Sequence, residues 1–385
     1  MFSDKNRKMS SLKNIPAYLK KRGVNGSWKI SPEPKRKFDQ TLVIPAYAES
    51  EYLPTTLLSI NENNPSLLKN TLVVVVINNA EDSPAEICRD NQYCFKLLNS
   101  SEYRFSLGIV DAYSKGLALS HKHAGVGLAR KIGIDLILPH LATPQSLIFC
   151  TDADIIVDKR YLEKVLEYFH TNNAKAAMVG FRHLESTDSK LEKAIRQYEK
   201  YLLTTAQNMR DARSPYGYVA MGSTMVCTTE AYCAVGGMPR KKATEDFYFL
   251  QELTKYCGVQ TIPEILVYPS PRPISRVYLG TGFRMKQAEN GFNLSTLFYS
   301  DDAFDLLAQW LKLGNSAWKF NLADILEKSN TINPYLADFL KQEKIEAIWT
   351  KIQSNAPSNS HSSQQFHRWF DGLKTIRLLK RFTTN

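Results

Sequence analysis

Two carboxylates stand two residues apart in Phe149-Cys-Thr-Asp152-Ala153-Asp154, after an apolar run and before a helical stretch. Acidic side chains at that spacing can both reach one hard cation, and a cation so held can neutralise a diphosphate leaving group. The same residues also make an ordinary polar turn, because Asp-x-Asp is common in turns. A second acidic pair, Glu245-Asp246, opens another helical stretch. One carboxylate of such a pair can take a proton from a hydroxyl as general base. Both could equally serve a helix dipole, with Thr244 as N-cap. Arg130, near a helix start behind Gly125-Val-Gly127, can hold a phosphate or a base through its planar fork. Arg272 and Arg276 follow the last strand in a proline-rich turn, where a basic segment would close over a diphosphate. His121 and His123 lie in a loop and read as surface residues.

These residues need elements to position them. Residues 40–45, 71–77 and 146–150 are short, apolar and β-branched, and read as buried strands. Helical spacing covers 50–60, 125–138 and 159–169. Strands alternating with helices predict an α/β fold with a mostly parallel central sheet flanked by helices. Asp152 and Asp154 then emerge at a strand's C-terminal end, where open α/β sheets place their ligands. Further on, 176–181 and 261–268 read as strands, 220–227 as extended, and 189–209 and 245–256 as helices. From about 283 the signals are mostly helical.

Taken in order, Pro45-Ala46-Tyr47-Ala-Glu49, Asn78-Asn79, Gly125-x-x-x-Ala-Arg130-Lys131, Asp152-Ala153-Asp154, Gly222-Ser-Thr, Gly236-Gly237 and Glu245-Asp246 resemble the family 2 glycosyltransferases over roughly residues 40–270. The resemblance implies a GT-A fold and transfer of a sugar from a nucleotide-diphospho-sugar donor to an acceptor hydroxyl, with inversion and with Mn²⁺ or Mg²⁺. Pro45, Ala46, Tyr47 and Glu49 would line the base and ribose; an aromatic offers stacking, and a carboxylate accepts from ribose hydroxyls. Asn78 and Asn79 replace an acidic residue usual in the family, which puts uracil in doubt as the base. Arg130, Asp152 and Ala153 would contact the nucleotide-sugar, and Asp154, with Asp152, would hold the cation. Asp246 would be the base beside Glu245, while Gly222 and Gly237 would lie near the diphosphate or acceptor. The acceptor is left open among glycans, lipid-linked compounds and small molecules. A sugar nucleotidyltransferase and a non-catalytic binding relative are the alternatives. The first lacks its glycine-rich loop after residue 45, and the second is disfavoured by the presence of both Asp154 and Asp246. A dinucleotide-binding dehydrogenase would need a G-x-G-x-x-G turn after the first strand, which is missing.

The 385 residues include 43% apolar and 23% charged types, as in ordinary globular proteins. No apolar run approaches the ~20 residues of a membrane-spanning helix. Six scattered cysteines without a CxxC pair predict neither a disulfide scaffold nor a zinc ribbon. The net charge of +11 is concentrated at the ends, +8 over residues 1–40 and +4 over 368–385. No nucleic-acid partner is expected. The expected layout is a basic N-terminal extension at 1–39, a catalytic domain at 40–282 and a helical region at 283–352. A polar linker and basic helix follow at 353–385. Trp369, Phe370, Leu373, Ile376 and Leu379 share one broad helical face there, with five basic residues. Such a helix suits either a reversible contact with an anionic membrane surface or docking on the protein. The expected location is the cytoplasm, peripheral to the membrane.

Overall fold

The computed structural model describes residues 14–274, 278–354 and 358–383. The chain divides into two compact units, one of residues up to 195 with 220–291, the other of 196–219 with 292–385. The expected boundaries at 282/283 and 352/353 are therefore not where the chain divides.

The first unit holds nine strands: β1 (Ile30–Ser31), β2 (Gln40–Ala46), β3 (Thr71–Asn78), β4 (Ser106–Ala112), β5 (Leu147–Cys150), β6 (Ile155–Val157), β7 (Ala176–Phe181), β8 (Met225–Thr228) and β9 (Gln260–Pro269). They form one sheet in the order β1-β4-β3-β2-β5-β8-β7-β9-β6. The block β4-β3-β2-β5 is parallel throughout. β8 then pairs antiparallel with both β5 and β7, β9 runs parallel to β7, and β6 closes the edge antiparallel. Every residue of β2 and β3 is buried, which is why both read as continuous apolar runs.

The helices of this unit are α1 (Asn14–Arg22), α2 (Leu53–Asn61), α3 (Ala85–Asn99), α4 (Val126–Ile137) and α5 (Tyr161–Thr171), then the start of α6 (Ser189–Asp211), α7 (Thr229–Ala234), α8 (Glu245–Cys257) and α9 (Thr281–Glu289). α4 lies directly on β2 and β3, and Gly133 permits that approach. A Cβ there would stand 2.5 Å from Val43 and 2.8 Å from Val76. The basic N-terminal region is no loose tail over its described part. Tyr18 on α1 is 5% exposed, and β1 pairs with β4.

The second unit adds α10 (Asp301–Gly314), α11 (Leu322–Ile332), α12 (Leu336–Gln342), α13 (Ile345–Ser354), α14 (Asn359–Trp369) and α15 (Gly372–Phe382). Trp310, Trp349, Phe366 and Phe370 form its buried centre. The expected polar linker is largely α14. Ser358 caps that helix by accepting from the His361 N–H, and Phe366 fills the space left by Gly314, where a Cβ would lie 2.0 Å from its ring. α15 is docked, with Leu378 and Leu379 in the same core. Its apolar face is spent on the protein, leaving Arg377, Lys380 and Arg381 exposed. No helix among the described residues is long and apolar enough to cross a membrane.

Candidate functional site

The carboxyl ends of β2 and β5 bring the first two acidic groups together. After β2 the chain turns through Ala48, whose φ of 52° is left-handed, a conformation that costs an L-residue ~1–2 kcal/mol. The Ala48 N–H donates to Asn91 Oδ1 on α3 at 2.9 Å, which fixes the turn. Glu49 follows, 6% exposed, and its carbonyl starts α2 by accepting from the Leu53 N–H at 2.9 Å. After β5, the Asp152–Asp154 turn is held from α2, since Thr56 Oγ1 donates to the carbonyls of Ala153 and Ile155, both at 2.8 Å. Arg272, just past β9, ties the two together. Its Nε donates to Asp154 Oδ2 at 2.7 Å, its Nη2 donates to Glu49 Oε2, and its guanidinium lies 4.2 Å from the centre of the Tyr52 ring. Burial pushes the Asp154 carboxyl up to about 6 despite the guanidinium beside it.

A second guanidinium ties the other acidic pair. Arg130, in the second turn of α4 and 2% exposed, donates through Nη2 to Asp152 and through Nη1 to Glu245. Gly222 lies against it, and a Cβ at that position would be 2.6 Å from the guanidinium nitrogens. Arg130 Nε is buried and finds no hydrogen-bond partner among the described residues. Glu245 is reached through Thr244, which has a left-handed φ of 64° and makes no side-chain cap. Thr244 takes the expected N-cap position without a side-chain capping bond; its Oγ1 donates instead to the Ala243 carbonyl at 2.6 Å. Ala48 and Thr244 are both non-glycine residues in the left-handed region, and each directly precedes a site carboxylate. Backbone strain of this kind persists where the surroundings over-determine it. Asp246 is half-buried and forms no ion pair with Lys or Arg among the described residues. Burial raises its carboxyl and that of Glu245, against the pull of Arg130.

Asn78 and Asn79 are 4% and 2% exposed. The Asn78 amide donates to the carbonyls of Ala46 and Val76, both at 3.1 Å, and Asn79 donates to the Ala80 carbonyl at 2.8 Å. Asn91 donates to the Asn78 carbonyl and to Asn79 Oδ1 at 3.1 and 2.8 Å. Three asparagines thus brace the strand ends from within. Pro45 and Ala46 lie in β2, and Tyr47 is half-buried just beyond it. Arg276 lies outside the described residues.

Asp135, which no sequence signal marked, anchors α1. It accepts from the hydroxyls of Tyr18 and Tyr232, both at 2.8 Å, and from the Val24 N–H at 2.9 Å, with Lys131 Nζ at 3.0 Å. Gly237 (φ 76°) sits against this cluster, where a Cβ would be 1.9 Å from the Tyr18 hydroxyl. The 236–244 loop that leads to Glu245 also packs on α4. A Cβ at Gly125 would meet Lys242, and one at Gly127 would meet the Lys241 and Pro239 carbonyls.

Among the described residues, no group of three or more His, Cys, Asp or Glu could hold a metal ion. Asp152 and Asp154 offer the hard oxygen donors that Mg²⁺ or Mn²⁺ prefers, so they fit such an ion as part of a shell completed by ligand and water oxygens. His121 stands with Asp82 at 2.7 Å on the surface, as its loop position predicts.

Residues 41–227 match the sequence model of a family described as glycosyl transferase family 2. No curated protein sequence matches the chain. Among solved structures, residues 1–349 of S. aureus TarS in complex with UDP-GlcNAc are 14% identical, covering 86% of this chain and 89% of that one, with a TM-score of 0.45. A mannosyltransferase, PcManGT from Pyrobaculum calidifontis in complex with GDP-Man and Mn²⁺, is 12% identical, covering 98% and 84%, with a TM-score of 0.42.

Proposed function

Residues 41–227 belong to glycosyl transferase family 2, and from that premise we propose that the chain moves a sugar from a nucleotide-diphospho-sugar to an acceptor hydroxyl, with inversion and with a divalent cation. The observation that carries this reading is the convergence of Glu49, Asp152, Asp154 and Glu245 at the carboxyl ends of β2 and β5 on two guanidiniums. A sugar nucleotide needs this chemistry: carboxylates for hydroxyls and a cation, and cations for its diphosphate.

The base and ribose lie along Pro45, Ala46 and Tyr47, over the braced strand ends of Asn78 and Asn79. Glu49 accepts from the ribose hydroxyls, and Ala153 with Asp152 borders the donor sugar. Asp154, with Asp152, would hold a divalent cation, which when bound would neutralise charge on the leaving diphosphate. Arg272 stands beside that position, and Gly222 and Gly237 border the diphosphate and acceptor sides.

Asp246 takes the acceptor hydroxyl's proton as its oxygen attacks the anomeric carbon opposite the diphosphate. Burial raises its carboxyl, which makes it a stronger proton acceptor than an exposed aspartate. Glu245 does not share that task. Its carboxylate is locked to Arg130, which fixes the first turn of α8 and hence the direction of Asp246. Arg130 accordingly acts as a strut rather than as an open arm for phosphate.

The test is a panel of nucleoside diphosphates in a thermal-shift assay, with and without Mn²⁺, followed by donor hydrolysis. One diphosphate should raise the melting temperature, and Mn²⁺ should enlarge the shift, because a ligand that binds only the native state stabilises it. No shift with any diphosphate sinks the reading. Contact with an anionic membrane, if made from the C-terminal end, is left to charge alone, since the apolar side of α15 is buried.

A further inference from the structure

Resting on the nucleotide-sugar reading above, we propose that Arg272 keeps the divalent cation out of the free protein. The cation then enters with the donor's diphosphate, which draws the guanidinium away from Asp154 and Glu49.

Three contacts from two segments hold Arg272 in place: Asp154 from the β5–β6 turn, and Glu49 and the Tyr52 ring from the turn between β2 and α2. Arginine stays protonated at any ordinary pH, so both carboxylates are compensated before any ligand arrives. A hard cation at Asp154 would have to share that carboxylate with a guanidinium bonded to it, and like charges at contact distance repel strongly where water is scarce. The other carboxylates do not offer an independent site. Asp152 is bonded to Arg130, and no cluster of three ligating side chains exists among the described residues.

A diphosphate changes both sides of this balance. Its anionic oxygens offer the guanidinium a two-pronged partner equal to the one it leaves, and give the cation the oxygens that the protein lacks. Arg272 can make this exchange where Arg130 cannot. The Arg272 side chain is 18% exposed and its partner Asp154 19%, whereas Arg130 is sealed at 3% against a Glu245 that is itself 3% exposed. Cation and diphosphate are therefore positively coupled, and by linkage each raises the other's affinity by the same factor. Part of the coupling runs through the Arg272 side chain, and the rest through the diphosphate oxygens that the cation would share.

Mn²⁺ binding, followed by the electron paramagnetic resonance of the free ion, tests this with the wild type, Arg272→Met, Arg272→Lys and Asp154→Asn, each with and without UDP or GDP. Wild type should bind Mn²⁺ at least tenfold more weakly without the nucleotide than with it. Arg272→Met should bind Mn²⁺ alone at least tenfold more tightly than wild type, show a coupling reduced by that same factor, and bind the metal-free nucleotide less well. Arg272→Lys keeps the charge but cannot bridge two carboxylates, and should fall between; it also serves should the Met variant not fold. Asp154→Asn should abolish the tight site in every background. Equal Mn²⁺ affinity in wild type and both Arg272 variants without nucleotide overturns the proposal. Failure of every variant to bind any nucleoside diphosphate instead overturns the donor reading on which it rests.

Discussion

Replacing Arg130 by Met should destabilise the first unit by about 3–5 kcal/mol, the usual cost of leaving a buried charge without its partner. The structure says where that cost falls. Asp152 has a side chain 37% exposed and can recover water when the guanidinium goes. Glu245, at 3%, cannot. Adding Glu245→Gln to Arg130→Met should therefore restore most of the loss, giving a coupling energy of about 2–3 kcal/mol, while Asp152→Asn should restore little. Two compact units make a single unfolding curve unsafe to interpret, so amide hydrogen exchange over α4 and α8 is the better assay. A loss of 3–5 kcal/mol corresponds to exchange roughly 10²–10⁴ times faster in those helices, since about 1.4 kcal/mol is tenfold. Wild-type exchange in Arg130→Met, together with collapse of nucleoside diphosphate binding, would refute the strut and make Arg130 a donor ligand.

Asp246→Asn keeps the shape of the base and removes its proton acceptor, so kcat should fall roughly 10²–10⁴-fold with donor affinity unchanged; collapsed donor binding would reassign the residue. Gly237→Ala places a Cβ 1.9 Å from the Tyr18 hydroxyl at a φ of 76°, and should cost ~2–4 kcal/mol through strain and overpacking. Faster proteolytic cleavage within residues 14–24 is the readout, and unchanged cleavage argues against it. His367 is half-buried, and desolvation holds it neutral, pushed down to about 4. The unfolded chain therefore binds its proton first, so stability is full above about pH 6.5 and is lost as pH falls toward 4, by roughly 3 kcal/mol at most. His367→Gln should flatten that pH dependence in exchange over α14, and an unaltered slope would assign it to other groups. Lys380→Gln with Arg381→Gln should weaken salt-sensitive binding to sedimented anionic liposomes roughly 30-fold, each charge being worth about 1 kcal/mol; equal sedimentation removes this end of the chain as the contact.

The elements around the site were legible where burial made the pattern simple. β2, β3 and β5 are sealed on both faces, so their apolar runs stand out, and the acidic turn after β5 follows from them. β4 escaped because Ser106-Leu-Gly-Ile-Val-Asp-Ala mixes half-buried and buried positions without strict alternation. α14 escaped for a related reason. Its Ser, Gln and His residues suggest solvent, while the contacts that order it come from Phe366 and Phe370 meeting Trp310 across dozens of residues. In the C-terminal helix, Leu378 and Leu379 carry the buried face although Leu378 is not in the expected stripe of Trp369, Phe370, Leu373, Ile376 and Leu379. The helix breaks at Phe370 and restarts with Asp371 as N-cap, which resets the helical phase.

The candidate site was legible in its residue types and illegible in its pairings. Asp154, Glu245 and Asp246 stand out through their order along the chain with the other motifs, since carboxylates at turns and helix starts are common by themselves. That Asp154 shares Arg272 with Glu49, over 223 positions, depends on β9 ending beside the β5–β6 turn, and nothing local encodes that. Asp135 is the sharper case. In sequence it is one polar residue on an apolar helix, where an exposed position would be the ordinary expectation. In the fold it is 3% exposed and gathers two tyrosine hydroxyls and a backbone N–H from two distant segments, with a lysine one turn back on its own helix. A buried carboxylate is tolerated only when donors surround it, and donors arriving from elsewhere in the chain are what a local pattern cannot contain. The same cluster links α1 to Gly237, at the head of the loop that ends in the left-handed Thr244 and then Asp246. Residues 14–24, part of the basic N-terminal extension expected from sequence, thus pack against the loop that leads to the proposed base.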